Sequence, residues 1–294
     1  MKILIYGLPK SGTTILKARI QEALKTAGYK DISIVMEPVD REPGFFVNYA
    51  GEKIAENENS LTKALMSVDE PFGVDYRKVN DMFSDYDYKI FIMRDPRDRL
   101  ISQVFYRWFK APEDMMKDYA ATHARIVAKE AAPHSLPFYT LFSTRVKRLN
   151  NWKNHWESFA KALVEFRQNA DDSWFIYPYE DCVNGEYDAL STFLGLQITD
   201  KATQSPGLKR VARTNTSDNW RRWFTEDDVE YFSPLLNPIL DAYGYDSNDW
   251  TLSPQESLPA AEGSEYVEKL VAKPQSNSSV KSAIKKQFSK LFSK

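Results

Sequence analysis

Gly7-Leu8-Pro9-Lys10-Ser11-Gly12-Thr13-Thr14 decides how this chain is read. It follows Ile3-Leu4-Ile5-Tyr6, an apolar run of the length of a buried parallel strand. It precedes Leu16, Ile20, Ala23, Leu24 and Ala27, which recur at helical spacing until Gly28 closes the helix. A strand, a glycine loop and a helix in that order gather backbone N–H groups around an anion at the positive end of the helix dipole. Nucleoside-triphosphatase loops of this kind carry lysine directly after the second glycine. Here Thr13 follows Gly12 and the lysine is Lys10, so the loop suits a phosphate while its ammonium reaches a different point. A turn without a ligand has no need of a lysine, a serine and two threonines together with two glycines.

Working outward, Ile32–Met36, Tyr88–Met93 and Trp174–Tyr177 are further strand candidates, separated by helical patterns. Asp95 is placed to cap a helix with Pro96 at its first position, where a missing N–H costs nothing. Leu100, Ile101, Val104, Phe105 and Trp108 form the apolar stripe of that helix. Strands alternating with helices predict an α/β fold of three layers, a central parallel sheet with helices on both faces, in a nucleotide-kinase-like P-loop topology. Ligands of such sheets bind beyond the carboxyl ends of the strands.

Three more segments stand in order behind the loop. Arg94-Asp95-Pro96-Arg97-Asp98 leaves the Tyr88–Met93 strand, and Ser102 lies eight residues after Arg94. A guanidinium fork at a strand end, faced by a hydroxyl from the next helix, suits a phosphate dianion. Tyr177-Pro178-Tyr179-Glu180-Asp181 is followed by Phe193-Leu194-Gly195. Arg213 lies seven residues before Trp220.

These four segments, spread over residues 1–245, resemble the sulfotransferases that use 3′-phosphoadenosine 5′-phosphosulfate (PAPS). The resemblance implies a 5′-phosphate loop made of Pro9, Lys10, Ser11, Gly12, Thr13 and Thr14, with Lys10 on the oxygen that bridges phosphate and sulfate. It implies a 3′-phosphate site of Arg94, Ser102 and Arg213, and Tyr179 beside the adenine. The sequence departs from the family at Ile15, where tryptophan is usual, and at Thr214-Asn215 and Asp218-Asn219, where Lys-Gly and Gly-Asp are usual; Arg210 is a nearby substitute.

The reaction so implied moves a sulfuryl group to a hydroxyl or amine of a carbohydrate or small-molecule acceptor by in-line displacement, with positioning and electrostatics as the protein's contribution. Lys10 is suited to neutralise the leaving oxygen. An acceptor hydroxyl needs a base. Cytosolic members of the family use a histidine ahead of the Arg/Ser motif, but no histidine precedes His123. Other members use a glutamate at the end of the second strand, where Glu37 stands, 27 residues past Lys10. Asp75 is the second candidate. The scattered histidines and single Cys182 suggest no metal site. Two other readings remain open: a nucleotide kinase, disfavoured by the displaced lysine and the Arg94/Ser102 pair, and a non-catalytic nucleotide-binding protein.

Composition sets the outer bounds. The 294 residues carry 39 Lys+Arg and 41 Asp+Glu, a balance unlike that of a nucleic-acid-binding chain. No apolar run has the length of a membrane span, and the apolar part of MKILIYG is too short for a signal peptide. With one cysteine, a cytoplasmic location is expected. The domain is expected over 1–250, with a linker rich in Ser, Pro, Glu and Ala over 251–279. Residues 280–294 hold five lysines and no acid, with Val280, Ile284, Phe288, Leu291 and Phe292 on one helical stripe. That pattern suits peripheral contact with an anionic membrane or a locally docked terminus. Aromatic residues from Phe105 to Trp156 are candidates for an acceptor site or for core packing.

Overall fold

Strand β1 (Lys2–Gly7) turns alternate side chains into two apolar cores, and that alternation organises the molecule. Ile3 and Ile5 pack with Leu16, Ile20 and Leu24 of helix α1 (Thr13–Thr26). Leu4 and Tyr6 face the opposite way, into a larger cluster containing Leu100, Val104, Phe105, Leu163 and Phe166. A strand buried on both faces belongs at the centre of a helix-covered parallel sheet.

The computed structural model describes residues 1–68, 72–142, 146–200, 213–214, 216–253 and 255–272, with the side chains of 146–152 set aside. After α1 come β2 (Ser33–Met36) and a separate antiparallel sheet of β3 (Pro38–Glu42), β4 (Phe45–Asn48) and β5 (Lys53–Ala55). Then follow β6 (Ser60–Ser67), a short β7 (Val74–Asp75), β8 (Tyr88–Met93) and β9 (Trp174–Pro178). The main sheet runs β2-β6-β1-β8-β9, with β7 on β6, and its pairings are parallel. Among its five longer strands the order is second, third, first, fourth, fifth, which is the nucleotide-kinase-like P-loop arrangement. Connections leave β1 for both sides of the sheet, opening a crevice beyond its carboxyl end.

Helices α2 (Val79–Met82), α3 (Pro96–Tyr106), α4 (Glu113–Met116), α5 (Tyr119–Ala131), α6 (Val146–Asn169), α7 (Tyr179–Asn184) and α8 (Asp188–Leu194) follow in turn, and Trp220–Trp223 and Glu226–Tyr243 come later. Helix α3 starts as its residues require. Pro96 opens it, and Asp95 Oδ1 accepts the Arg97 N–H at 2.8 Å. Leu100, Ile101, Val104, Phe105 and Trp108 are all buried. Phe138 and Phe142 are likewise core residues, so most of the aromatic run serves packing.

The structure corrects two expectations. The strand β6 sits between β1 and β2 and was not foreseen; Leu61 is the largest apolar residue of its first half, and Thr62 and Lys63 are buried with it. The stretch read as a linker is folded onto the domain. Ser264–Val271 is a helix whose Tyr266, Val267 and Leu270 are buried in the larger core. Glu130 accepts the Ser264 N–H at 2.5 Å and its hydroxyl at 2.6 Å. Burying three such side chains contributes about 1.5–3 kcal/mol each, enough to hold the segment despite its polar composition. The basic stretch 280–294 lies outside the described residues.

Candidate active site

At the end of β1 the chain turns through two left-handed residues, Lys10 (φ 72°) and Gly12 (φ 91°). Gly12 is pressed beneath Tyr179, and a Cβ there would collide with the ring, so conformation and contact both demand glycine. Lys10 takes the same region at a cost of about 1 kcal/mol or more, a strain characteristic of functional turns. Helix α1 begins at Thr13 with no acidic residue in its first turn, so its positive end is left for a ligand. The Ser11 side chain is fully buried, and its Oγ has no hydrogen-bond partner.

A cavity of about 500 Å³ opens over this loop. Pro9, Lys10, Gly12, Thr13 and Thr14 line it together with Arg94, Ser102, Tyr179, Arg213 and Glu37. The two segments expected to bind anions therefore share one space, and Arg94 Nη1 stands 3.5 Å from the Lys10 carbonyl. Arg94 is held by Asp98 at 3.6 Å and by the Tyr179 ring, whose centroid is 4.5 Å from the guanidinium carbon. Asp98, itself fully buried, accepts the Trp220 N–H at 3.0 Å, which ties the Arg94 helix to the later segment. Arg213 donates to the Glu262 carbonyl at 3.3 Å, with the Glu262 carboxylate at 3.9 Å. The segment expected to be a linker thus steadies a cavity residue.

Several buried donors here lack acceptors: Nε and Nη2 of Arg94, Nε and Nη2 of Arg213, and Oγ1 of Thr214. Buried polar groups normally find partners, and orphans gathered around one cavity signal a ligand that supplies oxygens. Among the described residues, Lys10, Lys17, Lys63, Arg94 and Arg213 line the cavity against one carboxylate, that of Glu37. Burial first, then the charges of Arg94, Arg213 and Lys63, push the Lys10 ammonium down to about 7. Burial and Arg94 push Arg213 down to about 10. Cations driven down by one another are arranged for a polyanion, which would reverse both effects.

Glu37 stands at the end of β2 with φ 52°, before Pro38 opens β3. Its carboxylate accepts a hydrogen bond from Lys63 Nζ at 2.6 Å. Asp75 does not line the cavity. Its carboxylate is taken by Arg77 at 2.6 and 2.9 Å, which holds it below the usual carboxylate range. Lys17, Lys63, Tyr106 and Thr214 line the cavity without having been singled out as nucleotide contacts. Tyr106 places its ring 3.9 Å from Lys10 Nζ. Lys17 follows the threonine pair by one helical turn, a spacing the sequence did display; Lys63 was hidden with its strand. Arg210 and Asn215 lie outside the described residues.

The chain thus has a P-loop whose lysine precedes the second glycine and which shares one cavity with Arg94 and Arg213. A family model described as a sulfotransferase domain matches residues 1–233. The chain belongs to that family. The sulfotransferase domain match takes in the loop, β8 with Arg94, Ser102, Tyr179, Arg213 and Glu37, and it implies a transferase of sulfuryl groups. No curated protein matches the chain. Among the described residues, no helix is long and apolar enough to cross a membrane, and no group of three or more His, Cys, Asp or Glu side chains is placed to hold a metal ion.

Proposed function

We propose that this sulfotransferase domain takes its sulfuryl group from PAPS and delivers it to a hydroxyl, or an amine, of a small-molecule or carbohydrate acceptor. The observation that carries this reading is the set of unpartnered donors in the loop and among the residues that line the cavity. Ser11 Oγ is buried in the loop, and Nε and Nη2 of Arg94 and Arg213 and the Thr214 hydroxyl belong to residues that line the cavity; among the described residues none of these atoms has a hydrogen-bond partner. An adenosine with phosphates at both its 5′ and 3′ positions offers oxygens to the loop and to the arginines together; ATP has no 3′-phosphate for the arginines.

The donor supplies the sulfuryl group; the rest is done by the chain. Lys10 through Thr14 and the start of α1 hold the 5′-phosphate through backbone N–H groups and hydroxyls, and Pro9 shapes the turn that presents them. Arg94, Ser102 and Arg213 hold the 3′-phosphate, the guanidinium forks being suited to a dianion. Tyr179, fixed over Gly12 and Arg94, packs beside the adenine. Lys10 regains its proton in the presence of the polyanion and donates it as a hydrogen bond to the oxygen on which charge grows. Glu37 accepts the proton of the acceptor hydroxyl, and Lys63 orients its carboxylate. Asp75 is not supported as the base, because Arg77 occupies it away from the cavity. The single, buried Cys182 fits a reducing, cytoplasmic setting. Transfer of labelled sulfate from PAPS to a panel of alcohols, phenols and sugars tests the reading: transfer to at least one supports it, while intact nucleotide binding without transfer to any favours a non-catalytic protein.

A further inference from the structure

A second cavity, of about 170 Å³, adjoins the first: Pro9 and Leu65 line both. Its lining includes Ser67 of β6, Arg99 and Gln103 of α3, and His155, Trp156 and Phe159 of α6. Arg99 is 4% exposed. Its Nε donates to the Pro9 carbonyl at 2.9 Å, and the Trp156 ring centroid lies 5.0 Å from its guanidinium carbon. Among the described residues no carboxylate pairs with it; burial and the neighbouring Arg94 push it down to about 9. A buried cation without an anion is expensive unless something else satisfies it. Gln103, one turn further along the same helix, presents an Oε1 that is buried and accepts no hydrogen bond.

We propose that this second cavity is the acceptor subsite and that it selects a flat, aromatic hydroxyl compound bearing a carboxylate, which Arg99 binds. The inference rests on the sulfuryl-transfer reading above. Trp156, Phe159 and Phe72 supply apolar and aromatic walls that favour a ring, with Ser67 and His155 as further polar lining beside Arg99 and Gln103. Arg99 bonds Pro9 at the rim that the cavities share, so a carboxylate on Arg99 keeps the hydroxyl close to Lys10 only when the two groups are near each other on the ring.

The test uses 3-hydroxybenzoate and its uncharged counterpart 3-methylphenol, titrated calorimetrically into the full chain, both free and saturated with adenosine 3′,5′-bisphosphate. The carboxylate compound is expected to bind at least tenfold more tightly, and Arg99→Met is expected to abolish that preference. Phe159→Trp, which fills the cavity, is expected to weaken both compounds at least tenfold while nucleotide affinity stays unchanged. If Arg99→Met does not fold, the wild-type preference and Phe159→Trp decide. Equal affinity for the two compounds, a preference that survives Arg99→Met, or binding indifferent to Phe159→Trp overturns the subsite. Loss of adenosine bisphosphate binding instead overturns the transfer reading, so the two failures are separate.

Discussion

Glu37 and Lys63 hold each other twice: the Glu37 N–H donates to the Lys63 carbonyl at 2.7 Å, and Lys63 Nζ donates to Glu37 Oε1 at 2.6 Å. The end of β2 is thereby locked to the centre of β6, and a residue with left-handed backbone presents its carboxylate to the cavity. Such over-determination of a strained residue is common where a side chain must be aimed.

Replacing Glu37, the proposed base, by glutamine keeps the shape and removes the carboxylate. Turnover is expected to fall by about 10²–10⁴-fold, the usual worth of general-base catalysis, while adenosine 3′,5′-bisphosphate affinity changes by less than about threefold. Asp75→Asn is expected to leave turnover near the wild-type level. Steady-state rates of both variants, with calorimetric affinities, decide; near-normal turnover in Glu37→Gln would move the base elsewhere.

Nucleotide binding is expected to take up a proton near pH 8. In the free protein Lys10 loses its proton around pH 7, and a bound polyanion favours the ammonium, so affinity rises as pH falls from about 9 toward 7. Binding enthalpies measured in HEPES and in Tris should differ by uptake approaching about one proton, and Lys10→Met should remove the difference. The same group makes stability of the free protein rise with pH between about 7 and 10.5, because over that window the unfolded chain binds a proton that the folded chain lacks.

Arg94→Lys keeps a charge beside buried Asp98 but loses the planar fork. Adenosine 3′,5′-bisphosphate is expected to bind about 10- to 150-fold more weakly, the worth of a hydrogen bond to a charged group, with 5′-AMP affected by less than about threefold. Ser102→Ala should act in the same direction with a smaller effect. A uniform loss for both nucleotides would remove Arg94 from the 3′-phosphate site.

Leu270→Ala tests the packing of the C-terminal helix. Leu270 is 3% exposed, so a loss of about 2–5 kcal/mol is expected, read as a Tm lower by several degrees in a thermal melt. An unchanged Tm would mean that residues 264–271 do not pack on the domain.

What could be read from the residues alone is the part in which local chemistry and global fold agree. Gly7 to Thr14 announces its own geometry, because a left-handed glycine and a phosphate-facing helix start leave a spacing that survives without context. Asp95-Pro96 announces the start of α3 in the same way. The strand β6 was illegible because Ser-Leu-Thr-Lys-Ala-Leu-Met-Ser has neither strict alternation nor a continuous apolar run. Its buried Lys63 is explained only by Glu37, which sits on another strand. The helix Ser264–Val271 was masked by the Ser, Pro and Glu around it, although Tyr266, Val267 and Leu270 carry helical spacing. Arg99 shows the same limit: as a sequence it is one charge in an arginine-rich helix start, and only the fold leaves it buried without an anion.

The central claim is that one cavity holds both ends of a single doubly phosphorylated adenosine. Calorimetric titration of the full chain with adenosine 3′,5′-bisphosphate, 5′-AMP and ATP tests it most directly. The bisphosphate is expected to bind with one-to-one stoichiometry and at least tenfold more tightly than either competitor. Equal affinity for 5′-AMP, or tighter binding of ATP, would contradict the assignment of Arg94, Ser102 and Arg213 to a 3′-phosphate.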